Sequence, residues 1–168
     1  MKVRSFPPVI DERSVWLVLG SMPGTASLAA HQYYGNPRNY FWRILYAMFE
    51  GGEVDERYEH RLAFALQHKV ALWDAIAVCR REGSLDANIR EAVPNDIPDL
   101  LRRYPQVNTI VCNGSKSYAE LQRHHGKTQE VASRTVLRMP STSPIPTPRY
   151  RGFDDRLAAW RKMLAYGS

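Results

Sequence analysis

Short runs of apolar residues recur along the chain and predict strands that are buried on both faces. These runs occupy positions 15–19, 70–73 and 109–112, and each is too short to form a helix. Each run stops at polar or glycine-containing sequence, which is typical of the strands of a parallel sheet. A fourth candidate strand occupies positions 135–139.

Segments with helical periodicity separate these strands. The clearest is 40–49, in which one helix face carries Phe41, Ile44, Leu45 and Met48. The pattern is weaker at 57–68, and further helices are expected at 97–104, 115–124 and 153–166. This alternation of strands and helices predicts an α/β fold, with helices on both faces of a mainly parallel four-stranded sheet.

Composition and charge narrow the class of protein. Of the 168 residues, 44% are hydrophobic and 24% are charged, which predicts a single globular domain over 1–168 and excludes wholesale disorder. Lysine and arginine number 23, against 17 aspartate and glutamate residues. The resulting net charge of +6 favours a polyanionic partner such as nucleic acid.

Several other classes of protein are not expected. No apolar run approaches the roughly 18 residues of a membrane span, and the first residues lack the apolar region of a signal peptide. The two cysteines, Cys79 and Cys112, are too few for an iron–sulfur cluster or an all-cysteine zinc site. We therefore expect a cytoplasmic monomer with no metal, no cofactor and no membrane partner.

Three of the predicted strands end in sequences that suit ligand binding. These sequences are 20–24, 113–115 and 140–144. Ligands bind beyond the carboxyl ends of parallel strands, so we expect the three loops to meet at one edge of the sheet. The glycines of the first loop suit either close approach to an oxyanion or base edge, or a simple turn. This loop matches neither the P-loop nor the dinucleotide-binding pattern.

The segment 33–42 interleaves aromatic residues, amides, an arginine and a proline ahead of a predicted helix. Phe41 and Trp42 are interpreted as core residues. Tyr34 suits either the core or stacking on a nucleobase, and Asn39 suits either recognition of a base or capping of the helix. The sequence leaves both alternatives open.

Other polar segments are less informative. The proline-rich segment 140–150 suits either a stiff loop that holds a phosphate backbone or an extended connector. Asp86 is read equally as a carboxylate of the site or, with Asn88, as a loop or helix-cap residue. Nucleophilic catalysis is not expected, because neither cysteine has a nearby histidine and no aspartate or histidine falls beside the glycine loop.

Taken in order, these motifs resemble the uracil-DNA glycosylase superfamily, and within it the hypoxanthine-DNA (DNA-deoxyinosine) glycosylase branch. The resemblance extends over about 15–148 and rests on Gly20-Ser21-Met22-Pro23-Gly24, Ser27, Tyr33-Tyr34-Gly35-Asn36-Pro37-Arg38-Asn39-Tyr40-Phe41-Trp42, Gly83-Ser84-Leu85-Asp86-Ala87-Asn88-Ile89, Cys112-Asn113-Gly114 and Pro140-Ser141-Thr142-Ser143-Pro144. It implies a three-layer α/β/α sandwich around a short, mainly parallel sheet. It also implies a monofunctional enzyme that hydrolyses the N-glycosidic bond of a deaminated base, hypoxanthine being favoured, after the base flips out of double- or single-stranded DNA.

The resemblance implies roles for individual residues. Asn39 and Asn113 are the expected catalytic residues, and Tyr34 is the expected stacking platform for the flipped base. The expected substrate-binding residues are Gly20, Ser21, Met22, Pro23, Tyr34, Ser141 and Ser143. The expected DNA-binding residues are Arg38, Ile145 and Arg149, and either of the last two is a candidate for the side chain that enters the duplex.

Two positions depart from the uracil-removing relatives. Met22 stands where their first motif carries an aspartate or asparagine, and Met139 stands where their second carries a histidine or asparagine. A thioether neither orients water as an amide does nor donates to a departing base, so we expect leaving-group stabilisation without an acidic group. The alternatives are a uracil-directed glycosylase of the mismatch-specific type, a non-catalytic damaged-DNA binding module, and an enzyme acting on nucleosides or nucleotides.

Overall fold

The computed structural model describes residues 1–167, which form seven strands and seven α-helices. The strands are β1 (Lys2–Arg4), β2 (Trp16–Gly20), β3 (Val70–Asp74), β4 (Ile76–Arg80), β5 (Arg90–Pro94), β6 (Thr109–Asn113) and β7 (Thr135–Met139). The helices are α1 (Thr25–Ala30), α2 (Phe41–Met48), α3 (Tyr58–Gln67), α4 (Ile97–Arg103), α5 (Ser115–His125), α6 (Gln129–Ala132) and α7 (Phe153–Trp160). No helix in this part of the chain is long and apolar enough to cross a bilayer.

The four predicted strands form one parallel sheet in the order β3-β2-β6-β7. Each lies within one residue of its predicted bounds. Strands β2, β3 and β6 are buried at every position, as expected of apolar runs that are covered on both faces.

Successive side chains of these strands enter two different cores. Trp16 and Val18 pack with α2, α3 and α7, whereas Leu17 and Leu19 pack with α4, α5 and α6. The sheet is therefore the middle of three layers, and the predicted α/β/α sandwich is confirmed. All four parallel strands run in the same direction, so their carboxyl ends share one edge.

A second, antiparallel sheet of order β1-β4-β5 was not predicted from the sequence. Its strands are partly exposed, and β1 and β5 lack the continuous apolar runs that identify the main sheet. Strand β4 does contain an apolar run, at positions 76–79, which the sequence analysis did not assign to a strand. A single residue, Ala75, separates β4 from β3. The turn that joins β4 to β5 includes Ser84 and Asp86, and this turn reaches the carboxyl edge of the main sheet.

Three helix assignments also differ from the predictions. The short helices α1 and α6 were not predicted, because four to six residues give no clear periodicity. The predicted helix 153–166 is α-helical only to Trp160 and continues as a 3₁₀-helix over Arg161–Ala165. Tightening of a last turn in this way is common at helix ends.

Candidate active site

A cavity of about 370 Å³ opens at the carboxyl edge of the parallel sheet. It lies within the size range of small-molecule sites. The sequence predicted that three strand-end loops meet here, and all three line the cavity. The turn between β4 and β5 lines it as well. Every predicted catalytic and substrate-binding residue lines it: Gly20, Ser21, Met22, Pro23, Tyr34, Asn39, Asn113, Ser141 and Ser143.

The glycine loop is held in place by contacts with β4 and with the turn that follows it. The carbonyl of Ser21 accepts from the backbone N–H of Ile76 at 3.1 Å. The hydroxyl of Ser21 donates to Asp86 Oδ1 at 2.8 Å. The buried Arg81 donates to the carbonyl of Pro23. These contacts join the loop to Asp86, so Asp86 contributes a carboxylate to the rim of the cavity.

Met22 contributes no polar side chain to the cavity. Its thioether is buried against Ile76, Cys79 and Ile89, between the glycine loop and the small sheet. Met139 is also buried, in the core that includes α2 and α7. Both methionines therefore act as packing residues at the positions where the resemblance expects polar groups in uracil-removing relatives.

Asn39 makes a hydrogen bond at the beginning of α2 and also lines the cavity, and its role in recognising a base stays a prediction. Its side-chain oxygen accepts from the backbone N–H of Phe41 at 2.9 Å, at the beginning of α2, and the residue also lines the cavity. Because only the oxygen of a carboxamide accepts a hydrogen bond, this contact fixes which way the amide faces. Nδ2 is then the atom of Asn39 that remains available to donate.

Tyr34 lies beneath the glycine loop with its ring stacked on Phe41, at a centroid distance of 4.2 Å and an interplanar angle of 26°. Its φ of +58° lies in the left-handed region, which residues with a side chain rarely adopt. The surrounding structure therefore holds the Tyr34 backbone in a strained conformation. The hydroxyl approaches Gly20, and burial, followed by the effect of Asp74, raises the pKa of this phenol. Tyr34 therefore remains protonated and presents an O–H donor to its neighbours.

Asn113 has both side-chain atoms engaged with one residue that sequence reasoning missed. Its Nδ2 donates to Thr142 Oγ1 at 3.0 Å, and its Oδ1 accepts from the Thr142 N–H at 2.9 Å. The Thr142 carbonyl in turn accepts from the N–H of Tyr40 at 2.9 Å. Buried Thr142 thus joins the end of β6 to the segment that carries Asn39.

The loop 140–145 is anchored from the other side by α7. Arg156 is 1% exposed and donates to the carbonyls of Ser141 and Ile145 at 2.9 and 2.8 Å. Trp160 Nε1 donates to the carbonyl of Pro140 at 2.9 Å. The loop is therefore a preformed wall of the cavity, held by groups that are distant in sequence.

Asp74 corrects the expectation that no aspartate falls beside the glycine loop. It ends β3 directly opposite Gly20 in the parallel register, lines the cavity and is 4% exposed. Burial raises the pKa of its carboxyl from 3.8 to about 7, with Arg81 opposing the shift and Asp86 adding to it. The sequence signal was available, because Asp74 follows an apolar run just as the three selected loops do.

The raised pKa of Asp74 predicts a stability that depends on pH. The folded chain holds this proton over a range in which the unfolded chain has released it, so the free energy of unfolding falls as pH rises from about 4 to about 7. Between pH 5 and pH 8, wild type is expected to lose about 3 kcal/mol more than Asp74→Asn. Urea unfolding of both proteins at the two pH values measures this difference, and equal losses would contradict it.

Of the three predicted DNA-binding residues, one lies at the mouth of the cavity. Ile145 lines the rim and is 56% exposed, which is unusual for a large apolar side chain. Arg38 and Arg149 are exposed and do not line the cavity; the Arg149 guanidinium lies over the Tyr150 ring. Leu85, 53% exposed on the turn between β4 and β5, is a second apolar rim residue that sequence reasoning did not select.

Over the residues that the structure describes, no three histidine, cysteine, aspartate or glutamate side chains converge as metal ligands do. The two cysteines are buried and unpaired with each other. The polar groups of the cavity are thus amides, hydroxyls, backbone groups and the carboxyls of Asp74 and Asp86.

Comparisons with known proteins agree on one family. The model of the uracil DNA glycosylase superfamily matches residues 7–164. A hypoxanthine DNA glycosylase from Methanosarcina barkeri is 39% identical over 117 residues, which cover 70% of this chain and 74% of that protein. One from Methanosarcina acetivorans is 37% identical over 130 residues, covering 76% and 82%. A solution NMR structure of a candidate uracil DNA glycosylase from M. acetivorans superposes with a TM-score of 0.77, at 34% identity over 96% of each chain.

Proposed function

The chain belongs to the uracil DNA glycosylase superfamily, and from this premise we propose that its preferred reaction is the hydrolytic removal of hypoxanthine from deoxyinosine in DNA. The chain is a DNA glycosylase that acts on a deaminated base. Its products are the free base and an abasic site, and it lacks a strand-cleaving step. Such a reaction opens base excision repair. A monomeric state and a cytoplasmic location stay predictions from the sequence.

Entry of the base into the cavity requires that the nucleotide flip out of the helix. Flipping costs a few kcal/mol and is easiest for a poorly paired base, which favours deoxyinosine over normal nucleotides. We assign Ile145, which is exposed at the rim, to the space that the base leaves. We assign the exposed Arg38 and Arg149 to contacts with phosphates.

Departure of the base builds negative charge on its ring and positive charge on the sugar. A donor that is fixed before the reaction stabilises the departing base without having to reorganise. Asn39 Nδ2 is such a donor, because the N–H of Phe41 holds the oxygen of the same amide. We assign Asn39 to stabilisation of the leaving base, and we assign Asn113 to positioning of the loop through Thr142.

The observation that carries this proposal is the placement of the Tyr34 ring and the Asn39 amide in the same cavity. One face of the ring is stacked on Phe41, and we assign the opposite face to a planar base. A platform beside an oriented amide donor matches what a flipped base requires, namely a stacking surface and a polar group at its edge.

A cleavage panel tests the proposed function. The protein is incubated with oligonucleotides that carry hypoxanthine, uracil, xanthine, ethenocytosine or no lesion, in single- and double-stranded form, and abasic sites are then cut with alkali. We expect cleavage only after the alkali step, and fastest with hypoxanthine. Specific binding of inosine DNA without release of any base would instead identify a damaged-DNA binding module, and a preference for uracil would overturn the substrate assignment.

Replacing Tyr34 with alanine tests the platform. We expect the binding free energy for inosine-containing DNA to weaken by roughly 1 to 3 kcal/mol, which is the contribution of stacking one base on an aromatic ring. Tyr34→Phe is the matched control, because it keeps the ring and removes only the hydroxyl. Fluorescence anisotropy with labelled duplex measures both variants, and unchanged affinity in Tyr34→Ala would move the platform to another residue.

A further inference from the structure

Asp74 lies in the cavity but has no part in leaving-group stabilisation by Asn39. The parallel register places it against Gly20, and a Cβ on that residue would collide with Asp74 Oδ1. The absence of a side chain at Gly20 therefore gives the carboxyl its place beneath the glycine loop. Both residues line the cavity in which the base is proposed to bind.

The surroundings of Asp74 favour the neutral acid. Its Oδ2 is buried and has no hydrogen-bond partner in residues 1–167. An ionised carboxylate is costly to bury without donors, whereas a protonated carboxyl carries no net charge to desolvate. The cavity in which the base is proposed to bind thus holds a carboxyl proton.

The charged and titratable groups around Asp74 come from three directions. Arg81, which follows β4, favours the ionised carboxylate, whereas Asp86, on the turn after it, favours the protonated one. Tyr33 and Tyr34 are phenols whose own pKa values are raised, so they stay neutral. The glycine loop itself has no charged side chain. Burial dominates these effects, and the pKa of Asp74 lies at about 7.

We propose that Asp74 is a general acid that protonates the departing purine at N7. This inference rests on the proposed function, because it requires a 6-oxopurine in the cavity. N7 is the most basic ring nitrogen of such a nucleoside, and its protonation converts the leaving group from an anion to neutral hypoxanthine. A general acid is most effective when it titrates near the working pH.

The C1′–N9 bond breaks and its electron pair passes to the base, while the Asp74 proton moves to N7 and leaves a carboxylate. The oxygen of water bonds to C1′ and its released proton goes to solvent. A solvent proton then restores the acid, so that the net reaction adds OH to the sugar and H to the base.

The pH dependence of single-turnover excision tests the assignment. With an inosine duplex from pH 5.5 to 9, the wild-type rate constant is expected to be level on the acid side and to fall tenfold per pH unit above about pH 7. Asp74→Asn preserves the shape of the side chain but cannot release a proton. Its rate at pH 6 is expected to be at least about a hundredfold lower, without the alkaline fall.

Two controls, one variant and one substrate analogue, distinguish Asp74 from the other carboxyl and N7 from other protonation sites. Asp86→Asn removes the other carboxyl of the cavity and is expected to retain the alkaline fall, with its midpoint moved to lower pH because Asp86 raises the pKa of Asp74. A duplex with 7-deazahypoxanthine offers no N7, so wild type and Asp74→Asn are expected to act on it at the same slow rate. A tenfold or larger difference between them on this substrate would overturn protonation at N7.

Failure of this inference is distinguishable from failure of the proposed function. If wild type releases hypoxanthine with a flat pH profile, or if Asp74→Asn keeps the alkaline fall, the general-acid role is wrong while the glycosylase activity stands. If wild type releases no hypoxanthine at any pH, the proposed reaction itself is wrong. Binding of inosine duplex by Asp74→Asn, measured by anisotropy, verifies that this variant retains its folded cavity.

Discussion

Asn39→Ala is expected to slow single-turnover release of hypoxanthine by at least about a hundredfold while affinity for inosine DNA changes little, because it removes one preorganised donor to the departing base. The same substitution removes the oxygen that accepts from the Phe41 N–H. Loss of this hydrogen bond costs about 1 kcal/mol of folding stability, so excision is measured at a temperature at which the variant is fully folded.

Asn39→Asp separates the two functions of this side chain. Aspartate keeps an oxygen for the N–H of Phe41 but replaces the amide donor with a second, negatively charged oxygen. We expect near-normal thermal stability and a loss of excision at least as large as in Asn39→Ala. Recovery of excision in Asn39→Asp would show that the reaction needs the hydrogen bond accepted from the Phe41 N–H, and not the hydrogen bond donated to the base. Wild-type rates in both variants would exclude Asn39 from the mechanism.

Arg156→Met is expected to lower the free energy of unfolding by about 3 kcal/mol. This effect is large for a residue that has no proposed role in catalysis. The guanidinium is buried, donates to the carbonyls of Ser141, Gly152 and Ile145, and lies over the Tyr40 ring. Methionine fills part of the volume but leaves those carbonyls without their donor. Excision is expected to fall as well, because the loop 140–145 loses its anchor on α7.

Arg102→Met provides the matched control for this measurement. Arg102 is also a helical arginine, but it is exposed and pairs with Glu130 on the surface at 3.1 Å. Exposed ion pairs contribute about 0 to 1 kcal/mol, so this variant is expected to remain close to wild type in urea unfolding. Equal losses in the two variants would show that the network around Arg156 does not stabilise the loop.

The sequence by itself determined the parallel sheet and the place of the cavity. Strands such as 70–73 and 109–112 are uninterrupted apolar runs, and burial on both faces is the environment that stabilises such runs. Parallel strands carry their following loops to one edge, so the convergence of 20–24, 113–115 and 140–144 required no knowledge of individual contacts. The resemblance to a known family, rather than periodicity, selected Tyr34 and Asn39; both line the cavity, and their roles stay predictions.

The tertiary structure alone decided what each polar group in the cavity can do. The sequence did not show that the Asn39 oxygen is occupied, that Asn113 is bound to Thr142, or that Arg156 holds a loop, because hydrogen bonds between distant residues leave no periodic pattern. The small antiparallel sheet was missed for a related reason, since its stability comes from pairing across the chain. Asp74 shows this most clearly. The sequence places it at a strand end, but only the tertiary structure buries it against Gly20, and burial raises the pKa of its carboxyl to about 7.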